Sequence, residues 1–262
     1  MKNFLKLVLI MFLAGCVTPA PDIKPIEPLI PVSPLLHHKG KRAGGLRAST
    51  VHRNLRSMRI PSGWTTPDTM PQSPYLLPSD DQGQTPECTA YGMTGICEGL
   101  YWWVTGKKID FDAHKLYVKE KQIDGDNEDG STLETAILAA KDFGWLSFNN
   151  PEGRTVSLDV YDLTSIAEIK YALHRCPAIL LGLNITEAWN SPKADGTICD
   201  TNGDSQQFIG GHCIILDSYD DYGPWIVNSW NLTYGVKGRI HLSWAQLKQQ
   251  WMGAKGFLLR VQ

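Results

Sequence analysis

Apolar residues along this chain fall into two regimes. Met93, Ile96, Cys97, Leu100 and Val104 recur at the three- and four-residue spacing of one helical face. That pattern predicts a helix over 88–105, closed by Gly106. The run TLETAILAAKDF predicts a second helix over 132–143, with Gly144 as its stop. SIAEIKYALHR predicts a third over 165–175, capped by Ser165 or Thr164. After residue 177 the regime changes. AILLGLNI, HCIILDSY, PWIVNSW and GRIHL are short runs of branched and aromatic residues bounded by Gly, Pro, Asp and Asn, the signature of strands. Helices first and strands second argue for an α+β fold with two packed halves, not an alternating parallel sheet.

Everything before about residue 60 is patterned differently. Lys2 and Lys6 precede an apolar run, Leu7 to Ala14, too short to cross a bilayer. Leu13-Ala14-Gly15-Cys16 follows and resembles the lipobox of bacterial lipoprotein signals. The resemblance implies a signal over 1–15, cleavage before Cys16 and lipidation of that cysteine, which is more than stable anchoring requires. Val17 in place of Asp favours the outer membrane in a Gram-negative envelope. Pro19, Pro21, Pro25, Pro28, Pro31 and Pro34 then favour an extended tether. Residues 37–59 are basic, with Lys39, Lys41, Arg42, Arg47, Arg53, Arg56 and Arg59 and no acid among them. They read as a solvated arm, or one touching anionic headgroups or wall polymer. The organisation expected is signal 1–15, lipidated tether and arm 16–59, and one domain 60–262.

Composition narrows the function without choosing it. Hydrophobic residues make up 42% of the chain, enough for a sizeable core. With 25 basic and 27 acidic residues the net charge is -2, which gives no ground for a nucleic-acid partner. Asp200-Thr201-Asn202-Gly203-Asp204 starts like a calcium loop, but Ser205 stands where glycine is needed and Gly211 where the bidentate Glu belongs. The acidic stretch Asp124 to Asp129 fails likewise, and no paired Cys-x-x-Cys zinc pattern exists. No metal or other cofactor is expected.

Two positions carry the chemistry. Cys88 opens the first helix, where the macrodipole and free N–H groups favour a thiolate, the nucleophilic form. His212 opens a strand after Gly210-Gly211, and Asp220-Asp221-Tyr222-Gly223 is a turn by composition. A hairpin closed near 221 pairs residues whose numbers sum to about 442. His212 then faces the neighbourhood of Trp230, with Asn228 one diagonal step along the same face. An amide there could fix the imidazole's tautomer, with Trp230 shielding the bond from water.

Taken together these segments resemble the papain family of cysteine peptidases. DQGQTPEC resembles its segment with the oxyanion-hole glutamine and the nucleophile, GGHCIILDSYDD its histidine strand, and WIVNSWNLTYGVKGRIHL its strand with the orienting Asn and shielding Trp. The resemblance spans about 60–262 and implies a two-lobed fold, a helical lobe and an antiparallel barrel-like lobe with the active-site cleft between them. It implies Cys88 as nucleophile in an ion pair with His212, Asn228 as orienter and Gln82 as oxyanion donor beside the Cys88 N–H. Gly130, in Asp129-Gly130-Ser131, sits where the family pairs backbone with substrate, and Trp230 lines the same region. Four departures stand out: Thr89 for a usual Trp, Pro86-Glu87 for Gly-Ser, Thr85 for a disulfide cysteine, and Asn231 for Gly. Glu87 opposes a thiolate unless it points elsewhere. Cys97, Cys176, Cys199 and Cys213 could form two disulfides by three connectivities. The stretch from Cys16 to residue 60 is short for the family's folded inhibitory prosegment.

The expected protein is therefore a monomeric thiol endopeptidase in a bacterial cell envelope, acting on peptide or protein. A cell-wall peptide amidase, an acyl transferase and an inactive binding module are the alternatives on the same fold.

Overall fold

The computed structural model describes residues 45–49, 55–76, 80–199 and 207–261. Cys16, the proline tether and Asp200–Asp204 lie outside them. Three helices come first: α1 (Cys88–Thr105), α2 (Ala113–Asp124) and α3 (Leu133–Asp142). Two short ones follow, α4 (Ile166–Leu173) and α5 (Trp244–Gln249). Local chemistry sets their ends. The side chains of Asp112, Thr132 and Ser165 accept the first-turn N–H groups of α2, α3 and α4, and Ser243 and Gln246 close a reciprocal capping box on α5. Gly106 and Gly125 end α1 and α2 in the left-handed conformation that glycine adopts without penalty. The three predicted helices are thus present with ends displaced by a residue or two. The exposed polar helix α2 was not predicted.

The strands are β1 (Arg56–Ser57), β2 (Ser147–Asn149), β3 (Thr155–Leu163), β4 (Ile179–Thr186), β5 (Phe208–Tyr219), β6 (Pro224–Val227), β7 (Arg239–His241) and β8 (Trp251–Val261). They form one sheet in the order β1-β3-β8-β4-β5-β6-β7, with β2 beside β3. Every pairing is antiparallel except β1 with β3. The chain has an α+β fold, a helical region packed on a mostly antiparallel sheet.

Side-chain alternation divides the core in two. Leu181 and Leu183 of β4, with Ile214 and Leu216 of β5, pack into a cluster with α4 and α5 residues such as Ile169 and Leu247. Leu180, Cys213 and Ile215, one step along the same strands, point to the other face and pack on Met93 and Ile96 of α1 and Ala136 of α3. β4 is therefore buried on both faces. Truncating Leu180 to Ala would cost about 2–5 kcal/mol and loosen the helix–sheet seam.

The β5–β6 hairpin has the register the turn predicts. Ile215 pairs with Val227 and Leu216 with Ile226, with a one-residue shift towards the turn. Asp220 accepts the N–H groups of Tyr222 and Gly223, which tightens the turn.

The described parts of the basic arm are packed at some residues and solvated at others, Arg56 and Arg59 being exposed. Leu46 and Met58 are buried core residues, and β1 adds a strand beside β3. Apolar anchors between the charges account for this. Burying a Leu or Met side chain contributes about 1.5–3 kcal/mol.

Candidate active site

The site lies where the first turn of α1 meets the start of β5. Cys88 and His212 are both wholly buried, and the backbone N–H of Cys213 donates to the Cys88 sulfur at 3.4 Å. His212 Nε2 is 2.7 Å from Asn228 Oδ1 across the hairpin. That oxygen also accepts the Ser229 N–H at 2.8 Å, so the amide is held oxygen-first. An oxygen can only accept, hence Nε2 carries the proton and Nδ1 of the neutral ring keeps its lone pair. Nδ1 has no hydrogen-bond partner, so it is the nitrogen left to exchange a proton with a thiol.

Two tryptophans cover the imidazole. The Trp230 ring lies 5.0 Å from it, tilted by 30°, and Trp189 stands edge-on at 6.2 Å. Trp189, in the 3-10 turn Glu187–Asn190, was not singled out by the sequence. It is fixed by its indole N–H donating to Gln250.

Gln82 is placed by docking its loop on the Asn228 strand. Its backbone N–H donates to Ser229 O at 2.9 Å, and Asp81 bridges Trp230. The Ser229 hydroxyl donates to Gln82 Oε1, while Nε2 donates to Thr85 O at 2.8 Å. The amide is pinned at both ends, with one Nε2 proton still available. Asn231, with φ +67°, makes the bend that lets its N–H donate to Asp80 O. Asn tolerates that conformation.

Burial opposes charge on both the sulfur and the ring. Burial pushes the Cys88 thiol up to about 12, and the N–H groups of Cys213, Thr89 and Cys88 itself pull it back only in part. Burial likewise holds the His212 ring down to about 4, against the smaller upward effect of Asn228. With the groove covered, burial thus favours the uncharged form of each group. Glu87 does not face the thiol, since its carboxylate binds His114 Nδ1 at 2.9 Å. Glu120 of α2 is the nearby acid, taking the Thr89 hydroxyl at 2.6 Å, and burial raises it to about 8.

What buries the site is the chain itself. Residues 45–49 form a strap in the groove between helical region and sheet. Leu46 donates its N–H to Gly211 O at 3.1 Å, Arg47 donates to Ser131 O at 2.7 Å, and Ser131 donates to Gly45 O at 2.8 Å. The backbone that pairs with this strap is that of Ser131, next to Gly130. Gly130 makes room: at φ +77° it approaches so closely that an added Cβ would stand 2.1 Å from Gly45 O. Gly45 is as tightly placed, because a Cβ there would meet the Cys88 sulfur at 2.9 Å.

The remaining cysteines do not pair. Cys97, Cys176, Cys199 and Cys213 are all free thiols, and three of them are buried as small apolar residues. The Asp124–Asp129 stretch holds side-chain cations: Arg47 and Lys121 reach Asp124 and Asp126.

No protein-family model and no curated protein matches the sequence. Solved structures do match in fold. Xylellain, a cysteine protease from Xylella fastidiosa, is 16% identical with a TM-score of 0.66, over 87% of this chain and 98% of its own. Procathepsin B S9 from Trypanosoma congolense is 12% identical with a TM-score of 0.62, over 84% of this chain and 87% of its own. Digestive procathepsin L 3 of Tenebrio molitor larval midgut is 16% identical with a TM-score of 0.60, over 82% and 76%. The fold is that of papain-like cysteine proteases.

Proposed function

We propose that this chain is a thiol endopeptidase with Cys88 as nucleophile, His212 as base, Asn228 as orienter and Gln82 as oxyanion donor. The observation that carries the reading is the 2.7 Å His212–Asn228 bond, which leaves Nδ1 as the proton acceptor one residue from the N–H that touches the sulfur. His212 takes the Cys88 proton and the sulfur attacks the peptide carbonyl carbon. The oxygen gains charge beside Gln82 Nε2–H and the Cys88 N–H, a type of contact worth about 2.7–4 kcal/mol per donor. The imidazolium then protonates the departing amine, leaving an acyl thioester. Water, deprotonated by the same ring, releases the acid and restores the thiol. The strap occupies the groove, so turnover requires it to leave.

The Leu13–Cys16 motif supports a lipid-anchored enzyme outside the cytoplasm, acting on peptide or protein near the membrane. Active-site labelling with a thiol-reactive epoxide, read against Cys88→Ala, tests the chemistry. Because the strap covers the thiol, the decisive chain carries Leu46→Asp, and one that neither labels at Cys88 nor cuts any peptide would remove the reading. Incorporation of a fatty-acid analogue tests the anchor, and an unlabelled protein would end it.

A further inference from the structure

The strap shows how an extended segment is read by the groove. Gly45 lies against the sulfur. Leu46, one step out, fills the space above Gly182 and against Leu133, where a Cβ on Gly182 would approach Leu46 to 2.6 Å. Arg47, two steps out, enters a pocket walled by acids. Its Nη2 reaches Asp124 Oδ2 at 2.6 Å, and its Nη1 reaches Asp126 Oδ2 at 2.7 Å and Glu128 Oε2 at 3.3 Å. The guanidinium is 13% exposed and Asp124 only 5%, so the inner end of the site is walled, while Asp126 and Glu128 stand at its open rim.

Charge in the pocket is unbalanced without that guanidinium. Asp124, Asp126 and Glu128 bring three negative charges. Lys121 supplies one positive charge, with Nζ 2.7 Å from Asp126 and 3.3 Å from Asp124, and it also donates to Gly130 O. Thr135 donates to the other Asp124 oxygen at 2.9 Å, which fixes the carboxylate in place whether or not Arg47 is there. When the strap leaves, the site keeps two uncompensated negative charges, with Asp124 fixed and buried at its base and Asp126 and Glu128 at its rim. Such a pocket favours a planar cation with two donor edges over a neutral side chain.

Resting on the peptidase reading above, we infer that Asp124, Asp126 and Glu128 form a specificity subsite for an arginine or lysine of the substrate, which Arg47 fills in cis. Gly45 O is tied to the Ser131 N–H, so the strap does not turn its carbonyl towards Gln82. A peptide running in the opposite sense can. Side-chain spacing along an extended chain does not depend on its direction. The residue at the acid pocket is then the third on the N-terminal side, counting the one whose carbonyl is attacked as the first. Arg should exceed Lys there, because three oxygens on two sides of the pocket match the guanidinium fork.

The test uses the full chain carrying Leu46→Asp to weaken the strap and Cys88→Ala to stop turnover. Fluorescent blocked hexapeptides differing only in Arg, Lys, Ala or Glu at the third position are titrated by anisotropy. Arg should bind on the order of tenfold tighter than Ala, with Lys between and Glu weakest. Asp126→Asn should reduce the Arg preference to about twofold, and Glu128→Gln, a change at an exposed carboxylate, should reduce it in part without risk to folding. Equal affinity for Arg and Ala overturns the subsite and leaves the acids as a latch for the strap alone. The same peptides on the chain with Cys88 intact separate the two ideas. Cleavage without third-position preference sinks the subsite only, and Arg-selective binding without cleavage sinks the peptidase. No binding of any peptide sinks both.

Discussion

His212 and Asn228 stand 2.7 Å apart across the β5–β6 hairpin, and the amide oxygen between them is the one that also takes the Ser229 N–H. The bond therefore sets orientation and tautomer together. Asn228→Ala should lower kcat/KM about 100-fold, the scale on which small misplacements of a reacting group are felt, with KM little changed. Steady-state kinetics on a blocked peptide would measure it, and an unaltered kcat would contradict the orienting role.

Gln82 is held by groups that themselves take no part in the chemistry. Gln82→Ala should reduce kcat about 100- to 1000-fold, the cost of one oxyanion donor. Ser229→Ala only frees the Gln82 amide at Oε1 and should cost less. A Ser229→Ala loss equal to that of Gln82→Ala would mean that Ser229 acts directly.

The covered site should respond weakly to thiol reagents. With the thiol pushed up to about 12 and the ring held down to about 4, both groups are neutral between those values. Thiolate appears only as pH rises towards the raised value, so alkylation of Cys88 should be slow from pH 5 to 9 and climb above it. Leu46→Asp, which puts a charge in the space over Gly182, should expose the pair and speed alkylation at pH 7 by tenfold or more. Mass spectrometry of iodoacetamide-treated protein reads this. Equal rates with and without the substitution would show that the strap does not guard the sulfur.

Two buried acids set a slope of stability against pH. Burial raises both Glu98 and Glu120 to about 8. The folded chain then binds more protons than the unfolded one between the ordinary carboxylate range and 8, so stability falls as pH rises through that window. Glu120→Gln keeps an oxygen for the Thr89 hydroxyl, and Glu98→Gln keeps one for the Phe111 N–H. The double variant should show a flatter melting temperature between pH 6 and 9. A parallel decline in wild type and variant would shift the cause to other groups.

Much of the site was legible because its signals are local. A helix face sets Cys88 at a helix start, and a turn of Asp, Asp, Tyr and Gly sets the hairpin register that joins His212 to Asn228. The helix α2 was not legible because it buries only Ala113, Leu116 and Glu120 and shows no wide apolar stripe. β3, ahead of residue 177, was not predicted although Val156, Leu158 and Val160 alternate there, and β8 hides its own alternation behind Gly253, Lys255 and Gly256. Lys255 is buried there because Glu134 and Asp162, far along the chain, pair with it. The strap failed for the same reason. Arg47 looks like one charge in a solvated basic run until the fold brings Asp124 and Asp126 to it.

The strap's tie through Ser131 has a kinetic consequence. A covering segment that belongs to the same molecule acts at a fixed effective concentration, so dilution alone cannot unmask the thiol. Because Gly45 presents its carbonyl to the wall, it need not be cut when the groove opens. Opening and closing could then repeat, making exposure of the sulfur a property of each single molecule and not of how many are present.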